Sequence, residues 1–248
     1  MKKTMIALLS ILVSGLLAQD VSGLIQQADD THEAKQYEEV FSLLKQAEEM
    51  DAGNFEVIWR LSRAHFDFYD NSDDEAYSNE QIYKALGYAE KALAMKDDRA
   101  ESHKWFAICI GKVGIIEGSE QKIKNSYKVA EHTLKAIELD PEDDGNYHVM
   151  GRWHFILADL SWIERKIASW VYATPPDASF EEGRDFFKKA ITLDPEDIRN
   201  YVWLGKTYEE LDDEDGASNA YKTAIGKTAT NDSDRILQKE AKELLEDL

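Results

Sequence analysis

The chain is poor in the residues that many fold and function classes depend on. Cys109 is its one cysteine among 248 residues, so no internal disulfide can form and no thiolate cluster can bind a metal. It sits in the apolar run Trp105-Phe106-Ala107-Ile108-Cys109-Ile110, where a thiol is a buried structural group rather than a nucleophile. Four prolines, thirteen glycines and sparse valine fit helices better than sheets. Basic residues are outnumbered 29 to 49, giving a net charge of -20. That sign repels phosphate backbones and anionic lipid surfaces, so nucleic acid is excluded as a natural partner, and it keeps a long surface soluble. No glycine-rich phosphate loop, nucleophile elbow or Ser/His/Asp spacing is visible, and no carboxylate pair is shielded among apolar residues as acid–base work requires. These absences point away from an enzyme, and no cofactor is implied. An apolar content of 43% rules out disorder.

What is present is a repeat. Lys135-Ala136-Ile137-Glu138-Leu139-Asp140-Pro141 returns as Lys189-Ala190-Ile191-Thr192-Leu193-Asp194-Pro195, and in worn form as Lys91-Ala92-Leu93-Ala94-Met95-Lys96-Asp97. The last unit follows the tetratricopeptide pattern best. Tyr201, Leu204, Gly205 and Tyr208 share one face of a first helix, and Ala217, Tyr221 and Ala224 recur on a second, with Asp212 to Gly216 as the turn. Gly205 and Ala217 allow two antiparallel backbones to approach, while Tyr208 and Tyr221 fill the space beside them. Aligning the second-helix alanines Ala47, Ala92, Ala136, Ala190 and Ala224 gives gaps of 45, 44, 54 and 34 residues. The ordinary period is about 34, and the excess falls between the two helices of each hairpin. The expected fold is therefore all-α, a tetratricopeptide-like solenoid of about five hairpins with units 20–52, 54–97, 99–141, 144–195 and 198–229. An amphipathic helix over 232–247, with Ile236, Leu237, Ala241, Leu244 and Leu245 on its apolar side, caps the array.

The extra residues differ in character. Asp70-Asn71-Ser72-Asp73-Asp74-Glu75 reads as a solvated loop. Gly111, Gly114 and Gly118 predict that the first helix of the third unit ends or bends there. In the fourth unit Trp162, Ile163, Ile167, Trp170 and Val171 predict an extra short helix, stopped by Thr174-Pro175-Pro176. Ser179-Phe180-Glu181-Glu182 then opens the next helix as a capping box. At the start, Lys2 and Lys3, an apolar run from Met5 to Leu17 and the small Ala18 predict a signal peptide over 1–18, followed by one repeat domain over 19–248. The run is too short to span a bilayer, and the expectation is an exported chain, periplasmic or secreted.

Residues from about Glu56 to Ala224 resemble the regulator of microtubule dynamics family, whose members carry divergent tetratricopeptide-like repeats. The resemblance rests on Ile58-Trp59-Arg60-Leu61-Ser62-Arg63-Ala64, on His103-Lys104-Trp105-Phe106-Ala107-Ile108, and on Glu117-Gly118 followed by Lys122-Ile123. It continues through Glu131-His132 into Lys135-Ala136-Ile137, and is sharpest at Arg165-Lys166-Ile167-Ala168 with Tyr172-Ala173-Thr174-Pro175-Pro176. It implies a helical-repeat interaction protein without catalytic residues, and, for the eukaryotic members, association with microtubules. A chain with a Lys-Lys export signal is expected to be a bacterial member that meets no tubulin.

Two constellations of ligand-type residues are answered by plainer roles. His148 and His154, six apart, lie on different helix faces; His65 and His154 stand where the repeat wants Tyr and are expected to be packed rings. Asp140 to Gly145 approaches a calcium loop, but its twelfth place is Gly151 rather than a bidentate Glu. The candidate site is the concave face. First helices line it through a stripe holding Trp59, Arg63 and Phe66, then Lys104, Ile108 and Gly111, then His148, Arg152 and Phe155, then Arg199, Val202, Lys206 and Glu209. Ordinary charge balance on solvated faces would account for these cations. The functional reading is a groove for an extended acidic peptide or a chain-terminal carboxylate, gripped by charge-assisted hydrogen bonds and aromatic stacking. The expected function is a non-catalytic protein–protein scaffold; a microtubule-associated regulator is the alternative, and a metal protein or enzyme the more distant one.

Overall fold

The computed structural model describes residues 20–171 and 173–248, without the side chains of Trp162, Ile163 and Ile167. The segment read as a signal peptide lies outside them. The described residues form twelve helices: α1 Val21–Glu33, α2 Tyr37–Met50, α3 Phe55–Asp70, α4 Glu75–Met95, α5 Ala100–Ile116, α6 Ser119–Leu139, α7 Asp144–Ala158, α8 Trp162–Val171, α9 Phe180–Leu193, α10 Ile198–Glu209, α11 Glu214–Gly226 and α12 Asp232–Asp247. The starts are written in the sequence. Asp20, Asn54, Asp74, Asp143, Ser179, Asp197, Asp213 and Asn231 each accept a backbone N–H of the turn they precede.

Helices pair as α1–α2, α3–α4, α5–α6, α7–α9 and α10–α11, and each pair stacks on the next, with α12 closing the far end. This is the tetratricopeptide-like arrangement of five hairpins and a cap. Neither helix of a pair could hide its apolar stripe alone, so the core runs as a seam along the stack. Ala47, Ala92, Ala136, Ala190 and Ala224 are all fully buried, which explains why the repeating heptapeptide keeps a methyl at that place. Large and small residues also trade across the hairpins. A Cβ on Gly205 would come within 2.3 Å of the Tyr221 ring, and one on Gly151 within 2.6 Å of the Phe187 ring. Tyr221 and Phe187 are fully buried, so the bulk missing from one helix is supplied by its partner.

Two expectations are corrected. In the second and third units most residues beyond the ordinary period are helical: α4 and α6 each run 21 residues, and the inner connections are Asn71–Asp74, inside the expected acidic loop, and Glu117–Gly118. Nor do Gly111 and Gly114 end α5. A Cβ at Gly111 would touch Val129 at 3.3 Å, and one at Gly114 would stand 3.1 Å from the Lys122 backbone, so both glycines serve the close approach of α5 and α6. Gly118, at φ +94°, is the glycine that makes the turn.

The short helix of the fourth unit is α8. Arg165 ties it down by donating to the carbonyls of Leu157 at 2.5 Å and Pro176 at 3.3 Å, and Ala168 is buried beneath it. Its Trp170 is 88% exposed. At the C-terminal end Leu237, Ala241, Leu244 and Leu245 of α12 pack on α10 and α11, whereas Ile236, expected on the same side, faces solvent. Gln238 donates to the carbonyls of Ala224, Ile225 and Lys227 at 2.8–3.2 Å, satisfying groups that the end of α11 leaves open.

Candidate functional site

The first helices of neighbouring hairpins touch, α3 with α5 and α7 with α10, and their outward faces form the candidate groove. The local reason lies in the repeat: one stripe of each first helix is committed to its own hairpin, leaving the opposite stripe free of it. Most cations of that free stripe are already answered by acids. Arg63 donates to Asp29 of α1 at 2.9 Å. Lys104 donates to both oxygens of Asp143, at 2.9 and 2.7 Å. Arg199 forks onto Asp197 at 2.6 and 3.0 Å, and Lys206 reaches Glu240 of α12 at 2.6 Å. Asp143 and Asp197 are also the N-caps of α7 and α10, so the turn chemistry supplies the counterions.

Arg152 differs. No carboxylate lies within ion-pair distance of it among the described residues, and its buried Nε finds no acceptor there. Its guanidinium lies over the Trp203 ring, 4.4 Å from the centroid, a face shared with the Lys206 ammonium at 4.6 Å. Burial holds its pKa below the ordinary arginine value, against the opposing charge of Asp70 and with a smaller push from Arg199. Lys112 joins it from the C-terminal half of α5. Its Nζ lies over Tyr69 at 5.2 Å and Phe66 at 5.9 Å, and its nearest acid, Asp70, is 3.8 Å away. Burial and the nearby Arg152 charge lower its pKa as well.

The other residues of the stripe divide. Phe66 packs against Trp105, and Phe155 stands edge-on to Phe180 and Trp203. Trp59 is 8% exposed, its Nε1 on Glu56 at 2.9 Å and the Arg60 guanidinium 4.1 Å over its ring, so it offers little surface. His148 is 7% exposed and bonded through Nδ1 to Asn200 at 2.7 Å. Val202 is fully buried in the α10–α11 core, and Glu209 takes the Tyr221 hydroxyl. Lys112, Tyr69 and Trp203 were missed by the sequence reading. Lys112 lies where the glycines predict that the first helix ends or bends, and its only signal is a lysine one place beyond Gly111. Trp203 is the neighbour of the Val202 that turned inward.

The histidines are packed rings: His65 stacks on Tyr88 with Nδ1 on Gln81 at 2.7 Å, and His154 stacks on Phe186. Asp143, in the calcium-like loop, is occupied as cap and counterion. Cys109 is fully buried and its thiol is pushed up to about 12 by burial, which removes it from thiolate chemistry at neutral pH.

Residues 24–248 match the family described as Regulator of microtubule dynamics protein 1-3. Regulator of microtubule dynamics protein 1 of Mus musculus is 39% identical over 227 residues, 91% of this chain and 74% of the relative. Regulator of microtubule dynamics protein 3 of Rattus norvegicus is 32% identical over 234 residues, 93% of this chain and 49% of the relative. Among solved structures, a thermophilic TPR protein of Thermus thermophilus matches with a TM-score of 0.66 at 12% identity, over 90% of this chain and 99% of that one. PilF of Pseudomonas aeruginosa matches at 0.55 and 14% identity, over 92% and 85%. At such identities the structures speak to the fold alone. The match of sequence across nearly all the described residues settles the family: this chain belongs to the regulator of microtubule dynamics family.

Proposed function

We propose that the protein is a non-catalytic interaction scaffold whose concave groove receives an extended peptide of acidic character. The observation that supports this most is the inner face itself, where Arg152 and Lys112 lie over aromatic rings, Arg152 with no acid in ion-pair reach and Lys112 with Asp70 alone at 3.8 Å, in a chain of net charge -20. A charge of that sign elsewhere repels an acidic partner and leaves the groove as its point of entry. The test is a peptide library screened against the immobilised protein. Enrichment of acidic over neutral and basic peptides, lost in Arg152→Glu, is expected; no enrichment, or enrichment of basic peptides, overturns the reading. Arg152 is the residue to reverse, because Arg63→Glu would set a carboxylate beside Asp29 and damage the fold.

A second reading has one observation behind it: the relatives carry the name of microtubule regulators. Co-sedimentation with polymerised tubulin tests it, and a chain that stays in the supernatant while the peptide screen succeeds removes it. Export through residues 1–18 is part of the first reading, supported by Lys2, Lys3 and the run Met5 to Leu17. A C-terminally tagged chain recovered uncleaved from the cytosol would refute it. No helix among the described residues is long and apolar enough to cross a membrane.

A further inference from the structure

We propose that Lys112 and Arg152 form the anchor of the groove and seat one carboxylate of the bound peptide. This rests on the groove reading and narrows it to one place. Four of the other groove cations, Arg63, Lys104, Arg199 and Lys206, are each held by a carboxylate within 2.9 Å, so a ligand would have to displace an internal acid to reach them. Lys112 and Arg152 are held differently, by the faces of Tyr69 and Trp203. A ring face orients a cation without cancelling its charge, and leaves its N–H groups open on the other side. Lys112 keeps 19% of its side chain exposed, enough for a ligand oxygen to approach.

The charges set the class of ligand. Two cations stand against one nearby acid, Asp70, at 3.8 Å from Lys112. The surplus is one positive charge, which a single carboxylate balances. A doubly charged group would bring excess negative charge beside Asp70. The planar guanidinium suits a planar carboxylate, taken through paired N–H donors, while the ammonium supplies a point charge. Both cations are partly desolvated and the Arg152 charge lowers the Lys112 pKa further, so a bound anion would relieve a cost that the fold otherwise carries.

The experiment is fluorescence anisotropy on the full chain, with a fluorescein-labelled decapeptide rich in Glu and its Gln counterpart carrying an amidated end. Wild type is expected to prefer the Glu peptide. Arg152→Gln should weaken it by about ten- to a hundredfold, the loss of one charge-assisted bond, and Lys112→Gln by about three- to tenfold. Lys135→Gln, a surface control of equal charge change on α6, should bind as wild type does. Thermal midpoints of Arg152→Gln and Lys112→Gln should be unchanged or higher; if one melts early, Arg152→Lys, which keeps the charge and loses the fork, should bind with intermediate affinity. Wild-type affinity in both variants would overturn the anchor and leave the groove reading standing. Equal binding of the two peptides by wild type would overturn both. Displacement of the Glu peptide by inorganic phosphate at far lower concentration than by acetate would assign the site to phosphate and overturn the carboxylate.

Discussion

Replacing His148 by Gln should flatten the protein's loss of stability in acid. His148 is almost fully buried at 7% exposure, and burial, followed by the charges of Arg199 and Arg152, pushes its pKa from 6.5 down to about 3. Below 6.5 the unfolded chain takes up a proton that the folded chain refuses, so this contribution is fully present above 6.5 and drains away as the pH falls toward the folded value. At pH 5 the loss is RT ln(1 + 10^1.5), about 2 kcal/mol, against about 0.2 kcal/mol at pH 7. That figure barely depends on the folded pKa so long as it lies a unit or more below the assay pH. For a chain of this size each kcal/mol moves the melting midpoint by about 2–4 °C. The drop in Tm between pH 7 and pH 5 should therefore be smaller by about 4–8 °C in His148→Gln than in wild type, whatever the substitution costs at pH 7. Melts followed by circular dichroism at the two pH values give both drops. Equal drops would refute the reasoning, because they would mean that His148 is free to protonate in the folded chain.

Other perturbations probe the packing and the charges. Gly205→Ala drives a methyl into the Tyr221 ring and should cost about 3 kcal/mol in denaturant unfolding, part of it recovered by Gly205→Ala with Tyr221→Leu. Gly118→Ala puts a side chain at φ +94°, ψ -177°, and should destabilise the α5–α6 hairpin by about 1–3 kcal/mol, read as faster hydrogen exchange in both helices. Gln238→Ala removes the donor that serves three carbonyls at the end of α11 and should lower stability by about 1–2 kcal/mol, with exchange accelerated first at Ala224 to Lys227. Asp143→Asn keeps an N-cap of equal quality but releases Lys104, so it should tighten binding of the Glu peptide severalfold at little cost in Tm.

How far the sequence could be read depends on whether the partner of each residue was near in the chain. The seam alanines and the exchange of glycine for ring at Gly205 and Tyr221 were legible, because both members belong to one hairpin and recur with it. Gly111 and Gly114 were misread because glycine either ends a helix or lets another backbone come close. The deciding neighbour, the Lys122 backbone, belongs to a helix whose start was itself unknown. With a helix end or bend expected at Gly111, the face of Lys112 is not fixed by the sequence. The stripe of groove cations was visible, but their counterions were not: Asp29 and Glu240 lie 34 residues from Arg63 and Lys206. Val202 and Trp203 show the finest limit, since one place of helical phase decides which of them meets the core and which meets Arg152.

Which groove cations stay open follows from how the array is built. An acid reaches the inner face from a turn or from an end. The turn acids Asp143 and Asp197 must sit at the first residues of α7 and α10 to cap them, and from there they reach only cations near a helix start, Lys104 across the hairpin boundary and Arg199 two places on. Asp29 of α1 and Glu240 of α12, the two end helices, neutralise Arg63 on α3 and Lys206 on α10. A cation half-way along or at the far end of a first helix in the central hairpins is out of reach of both sources. Arg152, near the middle of α7, and Lys112, late in α5, occupy those places, and the acid that acts on both is Asp70 at the end of α3. A repeat that puts an acid in nearly every turn can therefore leave a positive patch in a protein of charge -20 only at the centre of its concave face. That is where the acidic peptide proposed above would make its most desolvated contact.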